Sequence, residues 1–91
     1  MSDAAVLDFK PRARGMVIGD IPWLARITDK ARAKLEGRIA DYIYPCPADH
    51  RFLQDVQMSE REFTALVASS ANDDEVIEKM KAHLATKNIK G

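Results

Sequence analysis

The sequence predicts a small, mostly α-helical domain, and three features carry that expectation. Apolar residues recur at three- and four-residue spacing in four stretches, capping signals precede most of them, and strand-prone runs are short. The expected architecture is a single domain over residues 1–91 with about four helices, at 22–36, 47–56, 59–69 and 73–87. An extended arm over residues 1–20 leads into them, with room for one short two-stranded ribbon. Ninety-one residues with 46 % apolar content suffice for one modest core without staples.

Each element has its own local grammar. In the arm, Lys10-Pro-Arg-Ala-Arg-Gly15 is basic and turn-prone. Met16-Val17-Ile18 is apolar, and Gly19-Asp20 turns the chain. Three adjacent apolar residues favour an arm packed on the core, with Val17 or Ile18 inserted. The first helix is expected from Pro22, whose missing N–H suits a first turn, to Glu36, where Gly37 supplies the stop. Leu24, Ile27, Ala31 and Leu35 form its apolar stripe, with Trp23 beside it and Lys30 and Lys34 away from it. Arg38 to Tyr44 reads as extended, a candidate partner for Met16 to Ile18. Pro45 and Pro47 keep Tyr44 and Cys46 out of the helical region, so Cys46 is expected as an N-cap, Pro47 as the first helical residue and Asp49 as the third. Ser59-Glu60-Arg61-Glu62 is a capping box, with Met58 and Phe63 as a hydrophobic staple. Asn72 caps the last helix, and Asp73, Asp74 and Glu75 sit on its positive end.

Composition narrows the function classes. Residues 9–38 carry eight Lys/Arg against three acids, and residues 41–78 carry nine acids against Arg51 and Arg61. Net charge is zero, so basic and acidic surfaces are expected to face one another, within the fold or across a homodimer. Nucleic acid is not the expected partner: the last helix begins with three acids, which would meet phosphates carboxylate-first. Gly15-Met-Val-Ile-Gly19 lacks the Lys-Ser/Thr of a phosphate-cradling loop. No apolar run is long enough to cross a bilayer, the N-terminus lacks signal-peptide grammar, and a single cysteine forms no internal disulfide; the expected location is cytoplasmic, with no membrane partner.

Chemistry-bearing residues converge on Tyr44-Pro45-Cys46-Pro47-Ala48-Asp49-His50. A cysteine at a helix N-terminus, with Arg26 or Lys30 delivered by the first helix, would sit in a positive setting. Asp49 and His50 are then the candidate orienting and basic groups, making Cys46, Asp49 and His50 the catalytic candidates. Against this, Cys46 would serve equally as a small apolar residue packed under Trp23. A middle reading has Arg26 or Arg32 clamping Asp49 or Asp41 in a buried ion pair. One cysteine and two histidines make a poor zinc set, so neither a metal nor a cofactor is expected.

Two blocks together, Trp23-Leu-Ala-Arg-Ile-Thr-Asp-Lys-Ala-Arg32 and Tyr44-Pro-Cys-Pro-Ala-Asp-His-Arg-Phe-Leu53, resemble a family of small bacterial proteins known only as a domain of unknown function. The shared features are a Leu-x-Arg-x-x-Asp-Lys-Ala-Arg helix and a Cys-Pro-x-Asp-x-x-Phe turn. The resemblance spans about residues 16–84, implies a mostly helical fold and implies no reaction. Residue by residue it points to Arg26, Asp29, Lys30, Arg32, Cys46, Asp49 and Phe52. His50 stands where many members carry Gln, which counts against an essential role for it.

The expected function is a binding or protein-interaction domain with a polar site between the first helix and the Cys46 turn. Arg26, Asp29, Lys30, Arg32, Trp23 and Tyr44 are its binding residues. The partner is another protein or a second copy, with a small-molecule ligand as a further option. The alternative is a small thiol-dependent enzyme or redox-responsive protein using Cys46.

Overall fold

A computed structural model describes residues 10–39 and 42–87 of the chain. Among these residues there are two short strands, β1 (Val17–Ile18) and β2 (Ile21–Pro22), and four helices: α1 (Leu24–Leu35), α2 (Pro47–Asp55), α3 (Glu60–Ala68) and α4 (Asp73–Thr86). The mostly helical expectation with one small ribbon holds. Residues 1–9 of the expected arm, together with Asp41 and the final four residues, lie outside the described residues.

The ribbon forms differently from expectation. Val17–Ile18 pairs with Ile21–Pro22, antiparallel, with Ile18 opposite Ile21; among the described residues it does not pair with the Arg38–Tyr44 segment. The physical reason is local. Gly19 and Asp20 both take positive φ, 59° and 62°, which is what a two-residue hairpin turn requires, so the chain closes on itself before a distant strand can compete. This draws Pro22 into β2 and delays the helix to Leu24, two residues later than expected. Trp23 occupies the N-cap in the left-handed region, at φ 73°. The arm does pack, but selectively: Ile21 is buried and Ile18 lies on the core, whereas Met16 and Val17 are 44 % and 53 % exposed.

Helix α1 lies against α3 and α4; α2 packs on α3, and α3 on α4. Leu24, Ile27 and Ala31 of α1 meet Phe52, Leu53, Phe63, Val67, Val76, Met80 and Leu84 in one core. Phe52 and Phe63 meet edge to face at 6.1 Å. Leu35, expected inside, is 50 % exposed on the last turn of α1, where it borders an open hollow beside Val67 and Ala68. Lys30, expected outside, is only 3 % exposed. Capping follows the sequence closely. Ser59 Oγ accepts from Glu62 N at 3.0 Å while Glu62 accepts from Ser59 N at 2.8 Å, and Asn72 accepts from Glu75 N at 3.0 Å. Gly37, at φ 73°, ends α1 with bonds from its own N–H to Lys34 O and from Arg38 N–H to Ala33 O. No helix among the described residues is long and apolar enough to cross a membrane.

Candidate functional site

The Cys46 turn and α1 do meet, and the meeting point is an ion pair. Pro47 opens α2 with Cys46 as N-cap and Asp49 as third residue, as expected. Asp49 is fully buried, and Lys30 reaches it from α1, Nζ to Oδ2 at 2.7 Å. The same carboxylate accepts from the Cys46 backbone N–H at 3.0 Å and from the Trp23 indole Nε1 at 2.7 Å. Burial alone would push the Asp49 carboxyl up; the Lys30 ammonium, the Cys46 N–H and the indole N–H outweigh it and hold the group below its ordinary value. The clamp on Asp49 is therefore Lys30, not Arg26 or Arg32. Lysine suits this depth: its single ammonium needs few acceptors, and here Asp49 and Cys46 Sγ, at 3.3 Å, supply them.

A second charged knot lies nearby. Arg12 donates to Asp29 Oδ1 and Oδ2 at 2.8 and 2.9 Å and to Asp73 Oδ2 at 2.7 Å, and Arg32 donates to Asp73 Oδ1 at 2.9 Å. Asp29 is thus held by the arm, through Arg12, and not by a neighbour on its own helix. The Arg12 guanidinium holds Asp73 below its ordinary carboxyl range, with Arg32 adding to it. Three bridges, Lys30–Asp49, Arg12–Asp73 and Arg32–Asp73, join the basic N-terminal third to Asp49 and Asp73 of the acidic middle.

Around Trp23 the picture is different. The guanidinium of Arg14 lies 5.9 Å from the indole centre and that of Arg26 lies 6.0 Å from it. Arg26 also lies 5.9 Å from the Tyr42 ring and donates to Arg12 O at 3.1 Å. Among the described residues neither Arg14 nor Arg26 has a carboxylate partner. Trp23 also borders a hollow of about 320 Å³ lined by Pro22, Ala48, Arg51, Phe52 and Asp55.

The remaining predicted residues are dispersed. Tyr44 is buried, its hydroxyl 2.7 Å from Thr64 Oγ1 and its carbonyl accepting from Lys34 Nζ. His50 is exposed on α2, and its side chain forms no hydrogen bond with Cys46. Among the described residues no group of three or more His, Cys, Asp or Glu is arranged to hold a metal. Sequence reasoning missed Arg12 and Lys34, and it assigned Asp73 only to capping. Positions 23, 27, 30 and 34 do share helical spacing, which is a signal that Lys30 faces the Trp23 side.

Burial pushes the Tyr44 phenol up to about 12 from 10.0. Its folded value exceeds its unfolded one, so the stability it contributes is complete below pH 10 and lost as pH rises toward 12. Tyr44→Phe is expected to flatten the fall of urea-unfolding free energy across that interval; an unchanged slope would contradict the assignment.

Fold and site together define a small helical domain pinned by a buried Lys–Asp pair, with an aromatic, cationic face beside it. The chain belongs to the family described as Domain of unknown function (DUF5069), which matches residues 9–90. A search of curated proteins finds no match.

Proposed function

We propose that this domain is a protein-interaction module that takes an acidic segment of a partner protein on the Trp23 face. The observation that supports it is the pair of guanidiniums, Arg14 and Arg26, that lie 5.9 and 6.0 Å from the centre of the Trp23 indole and have no carboxylate partner among the described residues. Trp23 is held there at a cost. A non-glycine residue in the left-handed region carries about 1–3 kcal/mol of strain, which persists only when its surroundings enforce it. Here the enforcing contact is the Nε1–Asp49 bond, itself backed by Lys30. The buried pair thus fixes an aromatic platform, and Arg14 and Arg26 give its surroundings a positive field, while Arg51 and Asp55 at the hollow offset each other. Carboxylates of the partner pair with the arginines, and one apolar side chain enters the hollow by Pro22, Ala48 and Phe52. A single cysteine, which can form no internal disulfide, fits a cytoplasmic setting.

Trp23 is the only tryptophan, so its fluorescence reports binding. A peptide of eight glutamates around a central leucine is expected to change it saturably at low salt, and the matched lysine peptide is not. Arg14→Glu, at an exposed residue, is expected to weaken the glutamate peptide at least fivefold. Equal response to both peptides would sink the proposal.

One observation favours a second reading, a thiol-based role: Lys30 Nζ lies 3.3 Å from Cys46 Sγ, and Cys46 is partly exposed. Such a role requires faster alkylation of Cys46 at neutral pH in native protein than in urea.

A further inference from the structure

The Lys30 nitrogen touches two groups, and only one of them is its counter-ion. It lies 2.7 Å from Asp49 Oδ2 and 3.3 Å from Cys46 Sγ. Lys30 is 3 % exposed, so α1 on one side and the start of α2 on the other hold this amine against the sulfur. Cys46 is a free, half-buried thiol, and Pro47 and Ala48 beside it are exposed, so the turn that carries the sulfur faces solvent. An amine and a thiol held at this spacing are one oxygen atom apart. A direct S–N bond would draw Lys30 off Asp49. An inserted oxygen closes most of the gap with both side chains near where they stand.

We propose that Lys30 Nζ and Cys46 Sγ form a covalent modification site, joined through one oxygen as an N–O–S bridge when the protein meets hydrogen peroxide. The inference rests on the thiol reading of Cys46 and is independent of the acidic partner. The chemistry balances from the thiolate and ammonium forms. The thiolate attacks one peroxide oxygen: an S–O bond forms, the O–O bond breaks, and the departing hydroxide takes a proton from Lys30, leaving a sulfenic acid, a free amine and water. A second peroxide displaces the hydroxyl from sulfur as water, giving S–O–O–H. The Lys30 amine then attacks the sulfur-bound oxygen: an N–O bond forms, the O–O bond breaks, and the leaving hydroxide takes a nitrogen proton as a third water. Sulfur and nitrogen are each oxidised by two electrons, and each peroxide is reduced by two. The bridge ties α1 to the start of α2 and replaces the ammonium beside Asp49 with a neutral nitrogen. Peroxide thereby acts on the carboxylate that holds the Trp23 indole.

The test treats the full chain with hydrogen peroxide, in buffer and in urea, followed by trypsin and mass spectrometry. A bridged Lys30 is not cleaved, so residues 27–32 are expected joined to residues 39–51. Their mass should exceed the sum of the two free peptides by one oxygen less two hydrogens, about 14 Da. The yield is expected to fall at least tenfold in urea and to vanish in Cys46→Ser. Two molecules of dithiothreitol supply four hydrogens and should return thiol, amine and water, restoring the separate peptides. Oxygen added to Cys46 with normal cleavage after Lys30 would overturn the bridge and leave the thiol reading standing. A Cys46 untouched by peroxide in the native protein would overturn both. A linked peptide two hydrogens lighter than the sum, which marks a direct S–N bond, or an equal yield in urea would also overturn the proposal.

Discussion

Asp49→Asn is expected to cost about 3–5 kcal/mol of folding stability, the usual loss when one partner of a buried pair is removed. For 91 residues the whole stability is on the order of 5–14 kcal/mol, so the variant should be marginal or unfolded at ambient temperature. The reason is specific. Asparagine still offers one oxygen to the Trp23 indole or to the Cys46 N–H, but its amide cannot neutralise Lys30, which stays buried with only Cys46 Sγ beside it. Urea unfolding followed by far-ultraviolet circular dichroism measures the loss without relying on Trp23. Lys30→Met is expected to cost less, because the carboxylate it leaves keeps two N–H donors and the positive end of α2. A Lys30→Met variant weaker than Asp49→Asn would contradict this account of the site.

The same pair sets a pH dependence. Asp49 has a folded value below its ordinary 3.8, so its contribution is present above that pH and is lost as pH falls below it. Asp73, held down by Arg12, acts in the same direction.

Much of this was legible in the chain. Cys46-Pro47-Ala48-Asp49 announces its own helix start, and the Ser59 and Asn72 caps act through atoms three residues away, so the sequence alone places them. The error at Pro22 has the same local origin: Gly19-Asp20 marks a turn, but only the pairing of Ile18 with Ile21 shows that the turn closes a hairpin and uses up Pro22. What was not legible depends on the tertiary arrangement. Arg12 and Asp73 are 61 residues apart and meet only because the arm crosses α1 near the start of α4. Lys30 looks solvent-facing until α2 delivers Asp49 to it, since a lysine at that depth makes sense only with its partner in place.

Gly19→Ala, at the half-buried tip of the hairpin, is expected to cost about 2–5 kcal/mol. Two penalties combine. At φ 59° an L-residue pays about 1–2 kcal/mol that glycine does not. A Cβ at this position would also collide with the Ile77 side chain on α4, and forcing extra volume into a packed contact costs about 1–3 kcal/mol. The tip of the hairpin is therefore a packing surface as well as a turn: it brings the backbone against α4 and so sets where β2 hands the chain to Trp23. Ile77→Ala separates the two penalties. In that background the collision is relieved, and Gly19→Ala should cost only the conformational part, about 1–2 kcal/mol. If the cost of Gly19→Ala is the same in both backgrounds, the hairpin tip does not press on α4, and the positioning of Trp23 must come from the Asp49 bond alone.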